Sequence, residues 1–137
     1  MAKLIDTLFS YGFHDTTLSS VKVSEHQVKL YFDKGLYSLD RKGREKELTK
    51  SIVLVIDIDD SFTASESIEI QRYCHKTFRK GMKRLCVDEI EETELMNLGI
   101  NDVYYSRFNN AILIEAGRDY YQHYITISNC AKVKFEK

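Results

Sequence analysis

The sequence has no proline or tryptophan, only three cysteines, almost no net charge and no long hydrophobic run. Cys74, Cys86 and Cys130 are odd in number and contain no CxxC pair, which excludes a closed disulfide framework. We therefore expect reduced thiols in a cytoplasmic protein, with a bacterial cytoplasm as the expected setting. The longest apolar run, 52–56, is far shorter than the roughly 20 residues of a membrane helix. The early Asp6 argues against a signal-peptide core.

The charges of the chain are balanced, because 20 Lys and Arg residues face 21 Asp and Glu residues, for a formal net charge of -1. Binding to nucleic acid or to an anionic membrane draws on an excess of positive charge, so we predict neither partner. The composition is 43% hydrophobic and 30% charged, which is typical of a globular protein. The length of 137 residues is that of one domain with a core that needs no disulfide or metal. We expect a single domain over residues 1–137.

The hydrophobic pattern predicts a mainly β protein. Spacings of three and four residues over 4–9 predict a short first helix, and 88–99 resembles a second helix that ends at Gly99. Alternating apolar and polar residues predict strands over 21–23, 28–32, 36–39, 52–59, 67–73, 78–87, 103–108, 111–116, 120–128 and 133–135. The charged stretch 41–50 is expected to be an exposed loop. About nine or ten strands with two short helices indicate an antiparallel sandwich or barrel.

Two short patterns resemble catalytic motifs. Residues 55–61 (VIDIDDS) resemble the nucleophile motif of haloacid-dehalogenase-type phosphatases, which would make Asp57 the nucleophile and Asp59 the acid/base. That family needs a parallel sheet crossed by helices, which this sequence does not predict. His14 and Asp15 resemble the metal-binding pair of helical HD phosphohydrolases, but here they introduce a strand. We favour structural roles for all four residues.

The remaining His and Cys residues do not predict a metal centre. Cys74 and His75 are adjacent, so their side chains would point to opposite faces of a strand, and Cys86 and Cys130 are far away in sequence. We predict structural thiols, no metal site and no cofactor. A nucleophilic pair of Cys74 or Cys130 with His123 has no local support.

Aromatic and charged side chains supply the candidate binding surface. Five basic residues lie in 75–84, Arg79 and Lys83 among them, and five acidic ones follow in 88–94. The C-terminal region is rich in tyrosine: Tyr104, Tyr105, Tyr120, Tyr121 and Tyr124. Neighbouring tyrosines in a strand face opposite sides, so one of each pair should face outward and could anchor a protein or a sugar. Cross-strand packing without a ligand is the equally weighted alternative.

The segments 12–23 (GFHDTTLSSVKV) and 28–32 (VKLYF) resemble small bacterial β-rich proteins that begin with an aromatic-His-Asp-x-x-apolar motif and a hairpin. Some proteins of that group resemble immunity proteins that neutralise a partner toxin, so the resemblance implies a protein partner and no catalytic residues. We therefore expect a non-enzymatic interaction domain. The alternatives are a small-molecule- or carbohydrate-binding sandwich and a hydrolase that uses Asp57 and Asp59 or His14 and Asp15.

Overall fold

The computed structural model describes residues 3–74, 77–78, 81–82, 95–118 and 121–137. The helices in these residues are α1 (Leu4–Leu8) and α2 (Ala64–Ser67). The strands are β1 (Tyr11–Gly12), β2 (Thr17–Leu18), β3 (Ser20–Val23), β4 (Gln27–Phe32), β5 (Tyr37–Leu39), β6 (Glu45–Leu48), β7 (Ile52–Ile58), β8 (Ile68–Cys74), β9 (Thr77–Phe78), β10 (Gly81–Met82), β11 (Leu98–Ser106), β12 (Ala111–Arg118), β13 (Tyr121–Ile127) and β14 (Cys130–Glu136).

Two antiparallel sheets form the body of the molecule. The five-stranded sheet has the order β2-β11-β12-β13-β8, and the four-stranded sheet has the order β14-β7-β4-β3. A three-stranded sheet, β1-β5-β6, and the β9–β10 pair complete the described strands. The predicted mainly β, antiparallel class is confirmed. Of the two predicted architectures, the structure has the sandwich-like one and is not a closed barrel.

Alternation along the strands builds one core between the two large sheets. In β4, Val28, Leu30 and Phe32 are buried while their neighbours are partly exposed. β7 lies between β14 and β4 and is the most thoroughly buried strand, as its apolar sequence predicts. The inner residues of both sheets belong to a single hydrophobic cluster. Burial of this apolar surface is the main stabilising contribution to the fold.

The last two residues of the predicted second helix, 88–99, lie in a strand. Residues 88–94 lie outside the described part, but Leu98 and Gly99, the predicted helix end, begin β11 and pair with Leu18 and Thr17 of β2. Pairing with two neighbouring strands therefore overrides the helical pattern at this end. Among the described residues the second helix is α2, which the sequence analysis did not predict and whose start is fixed by a capping box between Thr63 and Glu66.

The stretch 41–50 is exposed as expected, but it is not entirely a loop. Four of its residues form β6, which pairs with β5. Ser38 helps to hold the two strands together, because its hydroxyl accepts from the Glu47 amide at 3.3 Å and donates to the Glu47 carbonyl at 3.2 Å. Charged residues fill most of β6, which is a common way to protect an edge strand from unwanted pairing.

The predicted strand 78–87 overlaps β9 and β10, and its other residues are outside the described part.

Candidate functional site

The outer face of the five-stranded sheet brings tyrosines and carboxylates together. Strand pairing sets Glu115 opposite both Asp102 and Tyr124, and Tyr124 opposite Gln71. Inner neighbours such as Ile114 and Ile125 are buried, so alternation directs this set away from the core. We call this surface the tyrosine face, and its residues are Glu69, Gln71, Tyr73, Asp102, Tyr104, Leu113, Glu115, Gln122, Tyr124 and Thr126.

Side-chain contacts fix the polar groups of the tyrosine face. The Tyr104 hydroxyl donates to Asp102 Oδ2 at 3.1 Å, and this hydrogen bond is the main reason that the pKa of Tyr104 is raised. The rings of Tyr73 and Tyr124 meet edge to face with centroids 5.3 Å apart. The Tyr73 hydroxyl donates to Gln71 Oε1 at 3.1 Å. Binding to a face whose groups are already positioned loses less conformational entropy.

The charge of the tyrosine face is negative. Glu69, Asp102 and Glu115 carry carboxylates, and no Lys or Arg is among the described residues that form the face. The Gln71 amide donates to Glu69 Oε1 at 3.2 Å, which holds that carboxylate in place. Tyr104 is 44% exposed, so its ring and the neighbouring carboxylates are accessible. The face can therefore offer apolar contact and hydrogen-bond acceptors to a positively charged partner.

Two of the other predicted tyrosines have different positions. Tyr105 lies on the side opposite to Tyr104, packs against the core and donates from its hydroxyl to Asn110 Oδ1 at 2.8 Å. Tyr121 is exposed near the end of its strand, where the Arg72 guanidinium lies 5.2 Å from its ring centroid. Tyr120 lies outside the described residues. The expected separation of Tyr104 and Tyr105 onto opposite faces is confirmed.

The predicted basic contacts cannot be placed. Arg79 and Lys83 both lie outside the described residues, as does the acidic stretch 88–94. Sequence reasoning selected neither Tyr73 nor the three carboxylates of the tyrosine face. The alternation of residues 68–73 indicates a half-exposed strand, but only the pairing of β8 with β13 places Tyr73 beside Tyr124.

The two aspartates of the phosphatase-like pattern have structural contacts. Asp57 accepts from Gln27 Nε2 at 2.8 Å, and it lies in a strand whose two neighbours are both antiparallel. Asp59 accepts from the Ser61 amide at 2.9 Å in the turn that follows the strand. The parallel sheet of the phosphatase family is not formed here, so the geometry supports the structural interpretation of both residues.

The metal-site candidates do not converge in the described residues. His14 Nε2 and Asp15 Oδ2 are 3.4 Å apart, and both side chains are exposed. No group of three or more His, Cys, Asp or Glu side chains in the described part could hold a metal ion.

The predicted thiol candidate Cys130 is buried. Burial raises the pKa of the Cys130 thiol to about 12, and this thiol donates to the Ile127 carbonyl at 3.2 Å. Such a thiol stays protonated and is a poor nucleophile. His123 is buried and accepts at Nε2 from Arg72 Nε at 2.8 Å.

We expect His14 to titrate above the ordinary value of 6.5. Its Nδ1–H donates to the Asn101 carbonyl at 2.8 Å, which is the main cause of the raised pKa, and the Asp15 carboxylate adds to it. This contribution to folding stability is complete below the unfolded-state pKa and is lost as the pH rises through the folded-state pKa. The measurement is an NMR titration of the imidazole.

Asp15→Asn provides the matched comparison for that titration. Asp15 has a φ of 61°, a conformation that asparagine tolerates, so the turn should keep its shape. Loss of the carboxylate should lower the pKa of His14 while the hydrogen bond to Asn101 keeps it above 6.5. An unchanged pKa in this variant would show that the carboxylate does not act on the imidazole.

Comparison of the chain with protein-family models, curated proteins and solved structures gives no match. Among the described residues, no helix is long and apolar enough to cross a membrane.

Proposed function

We propose that this chain is a non-enzymatic protein-interaction domain that binds a basic partner protein through the tyrosine face. The observation that supports this function is the combination of three tyrosines with three carboxylates on one outer sheet surface. Exposed charges and an edge-to-face aromatic pair do not require a ligand. The three carboxylates of this face, however, have no Lys or Arg beside them among the described residues of the face. A basic partner protein would supply the missing positive charge.

The chemistry of tyrosine suits a binding surface. A tyrosine side chain offers a large ring with few rotatable bonds and a polar tip, so it gives much contact area for a small loss of entropy. Tyrosine is accordingly enriched at protein interfaces and among the residues that contribute most to binding. The carboxylates would attract a basic partner during encounter and would accept charge-assisted hydrogen bonds after docking.

The immunity-type role is the more specific form of this proposal. The resemblance of residues 12–23 and 28–32 to small bacterial proteins implies a toxin as the partner, and the charge of the tyrosine face suggests a toxin with a basic surface. Binding would cover that surface and block its contact with the toxin's target. This role would place the protein in a bacterial cytoplasm and would need no metal or cofactor.

A small-molecule or carbohydrate site is the second candidate, and the position of the clefts does not favour it. Two clefts of about 450 and 490 Å³ are lined mainly by the β5–β6 hairpin and by residues that follow β6. Neither of these clefts includes a residue of the tyrosine face, and a smaller cleft of about 250 Å³ reaches that face only at Asp102. A broad surface with aromatic anchors and charges is better suited to a protein than to a small ligand.

The test is capture of the tagged protein from its host's lysate, followed by reconstitution with the purified partner. We expect one stoichiometric basic protein whose affinity falls as the salt concentration rises. Tyr124→Ala and Glu115→Lys should each weaken the reconstituted complex about tenfold or more, as expected for a residue that dominates binding.

Two variants serve as matched controls for this experiment. Tyr121→Ala removes an exposed ring that is not part of the tyrosine face, and Glu136→Lys reverses an exposed charge in the other large sheet. Both should bind the partner like the wild-type protein. Equal losses in the controls and the test variants, or no stoichiometric partner at either low or moderate salt, would contradict the proposal.

A further inference from the structure

Among the residues whose exposure the structure describes, the most exposed large hydrophobic side chain lies at the tip of a hairpin. Phe108 is 90% exposed in the turn between β11 and β12. Its amide donates to Ser106 Oγ at 3.3 Å, and the neighbouring Asn110 has a φ of 45° and accepts from the Tyr105 hydroxyl. An exposed phenylalanine on a turn that is held in one shape can dock with little loss of conformational freedom.

Further hydrogen bonds fasten this tip to the end of the sandwich. The amides of Asn129 and Cys130 donate to the carbonyls of Asn109 and Asn110, each at 3.1 Å. The Asn129 carbonyl in turn accepts from the Asp59 amide at 2.8 Å. The tip is therefore part of a braced end surface that also holds the loop after β7. We call Phe108 on this support the finger.

A cleft that could receive the finger lies at the opposite end of the molecule. Its volume is about 450 Å³, and its lining includes Leu48, Thr49, Lys50 and Lys137. Leu48 is 51% exposed, so the cleft offers apolar surface. A cavity of roughly 150 Å³ is already large enough to hold benzene, so the cleft can admit a phenyl ring.

The direction of β7 shows that the finger and the cleft lie at opposite ends. Residues 50–51 precede the strand at the cleft, whereas Asp59 follows it beside the finger. A strand of seven residues spans about 23 Å, so the finger cannot reach the cleft of its own chain. A second copy of the chain can bring the two together.

The charges at the two ends are complementary. Among the described residues, the finger end carries four exposed acids, Glu25, Asp59, Asp60 and Glu66, against two exposed basic residues, Arg107 and Lys132. The cleft has two exposed lysines, Lys50 and Lys137, against one acid, Glu47. Attraction between opposite charges would orient one copy end to end with the next.

We infer that this chain associates head to tail, with Phe108 of one copy inserted beside Leu48 in the cleft of the next. A contact between two different surfaces leaves one finger and one cleft unfilled, so it propagates into open chains unless its rotation closes a ring. The inference is independent of the proposed partner of the tyrosine face, because neither the finger nor the cleft belongs to that face.

The association is weak and needs a concentrated sample. A buried phenylalanine covers about 150–250 Å², whereas a stable interface buries about 1,000 Å² or more. Sedimentation velocity from about 10 µM to about 1 mM covers the corresponding range of affinities. We expect the mean mass of the wild-type protein to grow past that of a dimer and to fall again when salt is added.

Two variants that each disable one half of the contact give the decisive measurement. Phe108→Ser removes the finger and Leu48→Asp blocks the cleft, and both change exposed side chains, so both proteins should fold. Each variant alone should stay monomeric. An equimolar mixture should form a dimer and nothing longer, because only one finger and one cleft remain functional in each pair.

The control is Met96→Ser, which removes another exposed large hydrophobic side chain and should associate like the wild type. Wild-type protein that stays monomeric at about 1 mM, or stops at a dimer, would overturn the inference. Variants that associate normally, or a mixture that stays monomeric, would also overturn it. Circular dichroism and thermal unfolding of each variant establish that any loss of association comes from a folded protein.

Discussion

Replacing Phe32 by alanine should lower the free energy of unfolding by about 3–5 kcal/mol, the usual cost of removing a phenylalanine from a core. Phe32 is fully buried at the end of β4, where it pairs with Ile52 of β7. Its ring also contacts Phe13, with centroids 5.9 Å apart. The alanine would leave a cavity at a point where the four-stranded sheet meets the segment between β1 and β2.

The measurement for Phe32→Ala is urea unfolding followed by circular dichroism. A domain of this size has a total stability of about 5–15 kcal/mol, so the loss should shift the midpoint strongly. Phe108→Ala is the matched control, because it makes the same chemical change at a side chain that is 90% exposed, and it should leave the midpoint almost unchanged. Equal midpoints for the two variants would show that Phe32 is not packed as described.

The second large effect is expected at Gly35, which has a φ of 86° and lies in the turn between β4 and β5. A Cβ at this position would overlap the carbonyl oxygen of Thr49. That part of the backbone cannot easily move, because the Thr49 amide donates to the Leu36 carbonyl at 2.7 Å. We expect Gly35→Ala to reduce the free energy of unfolding by about 3 kcal/mol or more.

A comparison with Gly43 distinguishes the two causes of that loss, which are the positive φ and the clash with Thr49. It also has a positive φ, 76°, but nothing lies within 4 Å of the place that its Cβ would occupy. Gly43→Ala should therefore cost only the conformational penalty of about 1–2 kcal/mol. Thermal and urea unfolding of both variants would test the difference. A Gly43→Ala variant as unstable as Gly35→Ala would show that backbone conformation, and not the clash, dominates at Gly35.

The parts of the fold that could be predicted are those with strong local patterns. The apolar run in β7 and the alternation in the β3–β4 hairpin follow directly from residues that are buried on one or both faces. β6 could not be predicted from its side chains, because all four of its residues are exposed and its pairing with β5 is the only reason it is a strand. The strand start at Leu98 likewise depends on a partner 80 residues earlier in the sequence, Leu18.

In the candidate site, too, local sequence patterns do not predict the contacts that long-range strand pairing creates. Alternation alone places Tyr104 and Tyr105 on opposite sides of the sheet. It cannot show that Tyr73 meets Tyr124, since that contact depends on the pairing of β8 with β13. The negative charge of the face has the same origin, because Glu69, Asp102 and Glu115 come from three different strands. A local pattern therefore predicts which way a residue faces, whereas long-range pairing determines its neighbours.

The position of β14 has a consequence for how the protein emerges during synthesis. β14 forms one flank of β7, although more than 70 residues separate Ile56 from its partner Val133. Until those later residues leave the ribosome, β7 has an open backbone edge on its most apolar stretch, a template for pairing with other chains. Long-range pairings of this kind also slow folding. The nascent chain should therefore depend on chaperones for longer than a protein of the same length built from local hairpins.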